Sequence, residues 1–212
     1  MTISEPMTMF TDYLVTLLAA SLGIHLIIEG KARSTRSQIL WGWAFMATAL
    51  GALAGGTSHG FVEQLGDDGW SLLWRITVYA IGTASFLLLA GGLVAALSGP
   101  WRRLLLLVAF VKFGGYLWWM ASHDDFRFVI NDYGSTMAVV LLLQLWQWWA
   151  RRAPSAPWVV GGIAVSFVAS LIQQSEFALH QHFNHNDIFH VIQMLALWLL
   201  YRGGRLLEDA GD

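Results

Sequence analysis

Six of the seven histidines in this chain gather at one side of a run of hydrophobic segments. His59 closes the second segment and His123 the fourth, while His180, His182, His185 and His190 crowd the turn between the sixth and the seventh. His25 stands alone at the other side, beside Glu29, and reads as a packed or snorkelling interfacial residue. Imidazole is costly at membrane depth unless it is paired, hydrated or bound to a metal, and neutral imidazole is the commonest protein metal ligand. Histidines sharing one depth therefore point to a metal site. The chain has no cysteine, so its donors must be His, Asp, Glu, Asn or water. Zinc accepts such a set, and a catalytic zinc keeps three protein ligands and an open position for water. That water, activated by the metal, attacks amides and esters. Asp67 or Asp68 could take up its proton or orient a ligand.

The elements that must carry these residues are legible from hydropathy. Hydrophobic residues make up 56% of the 212, charged residues 12%, and mean hydropathy is +0.54, far from an ordinary soluble domain. A helix needs about 20 mostly apolar residues to cross a bilayer. Such stretches run over 10–28, 39–60, 70–97, 104–122, 126–150, 158–179 and 188–201. They have helix length and lack the alternation of a membrane barrel. The expected fold is all-α, a single integral-membrane bundle of seven transmembrane helices over residues 1–212. The start, Met1-Thr-Ile-Ser-Glu-Pro, carries acid and no base, so the first span reads as a retained helix rather than a signal peptide.

Charge sets the expected orientation. Lys31, Arg33 and Arg36, then Arg102 and Arg103, then Arg151 and Arg152, then Arg202 and Arg205 occupy one set of connections. The alternate connections hold Glu63, Asp67 and Asp68, then Asp124 and Asp125 with Arg127 as the one dissenting base, then Asp187. Basic loops stay cytoplasmic. The amino terminus is thus expected outside, the carboxyl terminus inside, and the histidine cluster on the extracytoplasmic side of what should be a bacterial inner membrane. Trp41, Trp43, Trp101, Trp146, Trp148, Trp149 and Trp158 near the inner ends, with Trp70, Trp118 and Trp119 near the outer ones, suit interfacial belts.

Local pattern refines the site. Helix 2 climbs through Gly51-Ala-Leu-Ala-Gly-Gly-Thr-Ser-His-Gly60, whose small residues let a neighbouring backbone approach closely. Helix 7 opens with His185-Asn-Asp-Ile-Phe-His190, in which positions 186 and 190 share a face. Positions 185 and 190 lie about 140° apart on an ideal helix, so His185 reaches His190 only from a non-helical start. Asn184, Asn186 and Asp187 are good capping residues, which favours a start late enough to free His185. Lys112, mid-helix 4, either snorkels or finds a partner such as Asp132 or Glu176. Gln173, Gln174 and Gln193 are the only polar side chains continuing inward, a thin lining for a permeation pathway. No phosphate loop, nucleophile elbow or basic nucleic-acid face is present.

Seven helices, a helix-2 His, an acid at the entrance of helix 3 and a His motif opening helix 7 resemble the CREST superfamily, which contains the alkaline ceramidases and the progestin and adipoQ receptors. Asp187-Ile-Phe-His190-Val-Ile192 looks like the receptors' helix-7 motif, and His59-Gly-Phe-Val-Glu-Gln-Leu-Gly-Asp67-Asp68 resembles the ceramidase stretch between helices 2 and 3. The resemblance implies one zinc per chain, with His59 and His190 as ligands and Asp67 or Asp68 as the helix-3 carboxylate. The family's first helix-7 His falls on Asn186, so His185 or His182 would supply the third nitrogen. The family's helix-2 Ser falls on Gly55, leaving Ser58, with Thr57 beside it, as the nearest hydroxyl. The implied activity is metal-dependent hydrolysis of a lipid amide or ester, with membrane lipids as partners and substrate. A metal-binding sensor, receptor or transporter without catalysis is the alternative.

Overall fold

The computed structural model describes residues 3–175, 177–180 and 183–211 and is all-helical. Seven helices follow one another: α1 (Pro6–Arg33), α2 (Arg36–Gly60), α3 (Val62–Ala96), α4 (Gly99–Met120), α5 (Phe126–Arg151), α6 (Ala156–Gln174) and α7 (His185–Gly204). Their boundaries follow ordinary helix chemistry. Proline occupies the first turn of α1, α4 and α6, where its missing N–H costs nothing. Asp125 caps α5 through the amide of Arg127 at 2.9 Å. Basic residues close α1, α5 and α7, as the helix dipole favours.

Six helices, α1 to α6, are long and apolar enough to cross a membrane, so the chain is a membrane-embedded protein. The exception, α7, has the length but carries His185, Asn186, Asp187, His190, Gln193 and Arg202. Around the bundle α1, α2, α3, α5, α6 and α7 pack in that order, and α7 returns to α1. Helix α4 lies outside this ring against α3, with only Ala109, Tyr116 and Met120 buried. Lys112 ties it to α5: the ammonium donates to the Asp132 carboxylate, to the Asp132 carbonyl at 3.1 Å and to Thr136 Oγ1 at 3.0 Å. Of the two partners expected for Lys112 it takes Asp132, while Glu176 lies outside the described residues.

Small residues set the spacing of the helices, as in other membrane bundles. A Cβ on Gly23 would lie 2.8 Å from the carbonyl of Gly42, so α1 and α2 touch there backbone to backbone. Near the amino-terminal end a Cβ on Gly56 would meet Asp12 Cβ at 2.6 Å, which fixes how closely α1 approaches α2.

Two boundaries depart from the hydropathy reading. Only Phe61 separates α2 from α3, and Gly66, at φ 62°, breaks α3 near its start, so Asp67 and Asp68 sit on the helix just past that kink rather than in a loop. Helix α6 ends at Gln174, and α7 begins at His185.

The end bearing the arginines is closed by the carboxyl-terminal segment. The Asp209 carboxylate accepts from the amides of Arg36 at 2.8 Å and Ser37 at 2.9 Å, capping α2 from the far end of the chain. Glu29 holds Arg33 at 2.6 Å and Arg205 at 2.8 Å. His25 stands 3.1 Å from the Tyr201 hydroxyl and belongs to this cluster, apart from the other histidines.

Candidate functional site

The amino-terminal ends of α1 and α7 and the last turn of α2 meet around two imidazole–carboxylate pairs. His190 Nε2 lies 3.2 Å from Asp12 Oδ1, with both side chains nearly buried. His59 Nδ1 lies 3.2 Å from Glu5 Oε2, nearer the surface. Thr11, one residue before Asp12, places its hydroxyl oxygen 2.8 Å from His190 Nδ1 and 3.0 Å from the carbonyl oxygen of Thr8.

Thr11 has one hydroxyl proton to share between two acceptors. Given to the Thr8 carbonyl, it leaves Thr11 accepting from His190 Nδ1–H, and Nε2 then faces the carboxylate with a lone pair, an arrangement that needs a proton or a metal ion between them; given to Nδ1, it leaves Nε2–H donating to Asp12 directly. Two ligands bound at the about 2.0–2.1 Å of zinc–nitrogen and zinc–oxygen bonds to a tetrahedral ion lie roughly 3.3 Å apart. Both imidazole–carboxylate separations are close to such an edge and equally to a direct N–H···O hydrogen bond. The Thr11 contact has the form of the outer hydrogen bond that orients a ligating histidine.

Asp12, His59 and His190 together line the head of a chamber of about 420 Å³ enclosed by α1, α2, α3, α5, α6 and α7. The volume falls in the roughly 300–1,000 Å³ range of small-molecule sites. Its walls are mainly apolar, with Val15, Trp74, Ile81, Phe126, Val129 and Met137 among them. Asn186, Gln173 and Gln193 add polar atoms on the α6–α7 side, where Gln173 donates to Asn186 Oδ1 at 3.3 Å. Two imidazoles and a carboxylate are donor types that zinc accepts. Among the described residues no three His, Asp or Glu side chains converge on one point, so the donors stand as two separate pairs.

The residues singled out from the sequence are distributed unevenly. His59 and His190 line the chamber. Asp67 and Asp68 are exposed, and neither lines it. Ser58 is buried with its hydroxyl donating to the Gly55 carbonyl at 2.7 Å, and it does not line the chamber either. Helix α7 starts earlier than expected. Asn184 is its cap, accepting from the amides of Asn186 and Asp187 while the Asp187 carboxylate accepts from the Asn184 amide at 2.8 Å. This reciprocal box draws His185 into the helix. His185 is then half-buried away from the chamber, and Asn186, one turn before His190, takes the place above it. His182 lies outside the described residues. His123 stacks on Trp119 at 3.9 Å between ring centres and does not line the chamber, and His180 pairs through its backbone with Phe183.

Asp12 and Glu5 are the site residues that hydropathy and motif reading passed over. Asp12 had a signal: it is the one acid inside the first apolar segment, and an ionisable residue at that depth calls for a partner. Glu5 carried none beyond being an acid near the same end. Asp187, expected as a loop acid, is fully buried, with Oδ1 accepting no hydrogen bond.

Comparison with known proteins adds kinship without chemistry. No curated protein and no solved structure matches the chain. One family pattern covers residues 7–209, nearly the whole length, and on that ground the chain belongs to a family of unknown function, DUF6962.

Proposed function

We propose that this protein is a membrane-embedded, zinc-dependent hydrolase of an amide or ester bond in a lipid, with His190 and Asp12 as the first metal-binding pair and His59, which would have to leave Glu5 to join them, as the third donor. One observation carries the reading: His190 Nε2 faces the Asp12 carboxylate at 3.2 Å, with Thr11 against its other nitrogen, at the head of an apolar chamber that His59 also lines. The metal would supply a polarised carbonyl and an activated water. The chain's own residues do the rest. Thr11 orients His190, and Asn186 and Gln173 are placed to bind a polar headgroup. The apolar walls exclude bulk water from the reacting bond, which strengthens every polar contact there. Asp12 takes the place in the ligand set that the family resemblance would give to His185 or His182. The proposal extends to topology. All seven helices cross the membrane, α7 shielding its polar face inside the bundle, with the site on the extracytoplasmic side as the arginine asymmetry implies.

The test is elemental analysis of purified protein together with release of free fatty acid from an N-acyl and an O-acyl lipid. About one zinc per chain is expected, lost in His59→Ala, His190→Ala and Asp12→Asn and kept in His25→Ala and His185→Ala. Hydrolysis that survives in metal-free protein would overturn the reading. A second reading, a metal- or proton-responsive membrane protein without turnover, is favoured by the separate pairing of each imidazole with its own carboxylate. Zinc binding without release of fatty acid from either lipid would select it.

A further inference from the structure

The end of the bundle that carries the arginines treats them in two ways. Arg33 and Arg205 share the Glu29 carboxylate, so their charge is partly offset inside the protein. Arg202, in the last turn of α7, has no carboxylate beside it. Its guanidinium lies over two indoles instead, 4.4 Å from the ring centre of Trp158 on α6 and 5.3 Å from that of Trp198 on α7. The two rings meet edge to face at 89°, with centres 6.1 Å apart, and form a corner that holds the cation. Arg151, closing α5, stands over Trp146 at 4.7 Å in the same manner. Among the described residues neither guanidinium donates a hydrogen bond to a protein acceptor.

A stacked arginine with its N–H groups left over is half of a recognition unit. Stacking restrains a side chain that would otherwise lose rotamer freedom on gripping a ligand, and the guanidinium fork matches paired phosphate oxygens. An arginine that merely marks one face of a membrane needs no such corner. Arg152, exposed and next in sequence to Arg151, stacks on no ring.

The corner opens toward lipid. Val191, Leu195, Trp198 and Arg202 recur along α7 at helical spacing and share one face. The three apolar members are 47%, 52% and 40% exposed, so that face looks outward from the bundle. On α6, Gly161 stands one turn past Trp158, and a Cβ there would meet nothing within 4 Å. One position further round, the two helices touch: a Cβ on Gly162 would meet Leu200 at 2.8 Å, and one on Gly203 would meet Val159. Helices α6 and α7 thus close against each other toward the bundle and leave an apolar furrow on the lipid side, headed by the Arg202 guanidinium.

We infer that this furrow binds an anionic glycerophospholipid, with its phosphate gripped by Arg202 and one acyl chain laid along Trp198, Leu195 and Gly161. Charge complementarity names the occupant. Arg202 and Arg151 bring two cations without carboxylates, which favours a net anionic headgroup over a zwitterionic one whose ammonium offsets its phosphate. The apolar stripe below the guanidinium gives a lipid the advantage over a soluble phosphate. The site lies on the outer surface of the bundle, apart from the chamber, and requires neither metal nor turnover.

Native mass spectrometry of the delipidated full-length protein, titrated in detergent with phosphatidylglycerol or with phosphatidylcholine of the same chains, measures the first binding step of each. Phosphatidylglycerol should bind about 10-fold more tightly, the size of one charge-assisted hydrogen bond. Arg202→Ala should abolish that preference, and Arg202→Lys, which keeps the charge without the fork, should restore only part of it. Lys31→Ala removes an unstacked cation from the same end and should change nothing. Gly161→Leu fills the furrow without meeting a neighbour and should weaken both lipids while leaving their ratio unchanged. Thermal unfolding followed by circular dichroism reports that each variant keeps its fold, and Arg202→Gln serves should Arg202→Ala fail to fold. Equal binding of the two lipids, an equal loss in Lys31→Ala, or full recovery in Arg202→Lys overturns the role of Arg202. Undiminished binding in folded Gly161→Leu overturns the furrow as the chain's seat. Displacement of the lipid by millimolar glycerol 3-phosphate would make the ligand a soluble phosphate and overturn the lipid assignment.

Discussion

The Asp12–His190 pair can be weighed against the His59–Glu5 pair by double-mutant cycles, because the two share their chemistry and differ in burial. Asp12 and His190 keep 9% and 12% of their side-chain surface, whereas Glu5 and His59 keep 47% and 31%. Leaving one buried polar partner unsatisfied costs about 1–3 kcal/mol, while exposed pairs are worth about 0.2–1 kcal/mol. In metal-free protein the coupling between Asp12→Ala and His190→Ala should therefore reach about 1–3 kcal/mol. The coupling between Glu5→Ala and His59→Ala should stay below about 1 kcal/mol. Unfolding by sodium dodecyl sulfate in mixed micelles, followed by circular dichroism in the presence of a chelator, measures all four corners of each cycle. Repeating the series with zinc at a hundredfold excess over its dissociation constant should add about 2.7 kcal/mol to protein with intact donors and almost nothing to the Asp12/His190 double variant. Equal couplings in the two cycles, or equal stabilisation of the double variant by zinc, would refute the reasoning that places His190 and Asp12 at the centre of the site.

Three further outcomes follow from the packing and the topology. Gly56→Ala should destabilise the bundle relative to Gly134→Ala by roughly 1–3 kcal/mol, the usual range for overpacking, because one added methyl meets Asp12 and the other meets open space; the same unfolding assay compares them. Asp209→Ala should destabilise by about 0.5–2 kcal/mol, as loss of a helix cap does, and should raise hydrogen exchange at the amides of Arg36 and Ser37. Since the chain has no cysteine, single cysteines at Ser34 and Asp125 should label from opposite sides of intact cells with an impermeant reagent, the second from outside; equal labelling would overturn the proposed orientation.

How much of this protein could be read without its coordinates depends on the range of the physics involved. Hydropathy and helix length are local, and so the seven helices, their order and the segregation of charge by connection are all contained in the sequence. The depth of a residue within its helix is nearly local too, which is why His59 and His190 could be placed at one level before their side chains were seen. Which way a side chain faces around its helix, and which helix stands opposite, is set by packing of the whole bundle. That packing put Asp12 against His190 across 178 positions of sequence, turned Ser58 into its own helix, left Asp67 and Asp68 outside the chamber, and placed α4 outside the ring. The capping box at Asn184 shows the boundary between the two regimes. Its residues were legible as caps, but only the completed turn decided that His185 enters the helix and that Asn186 takes the position above His190.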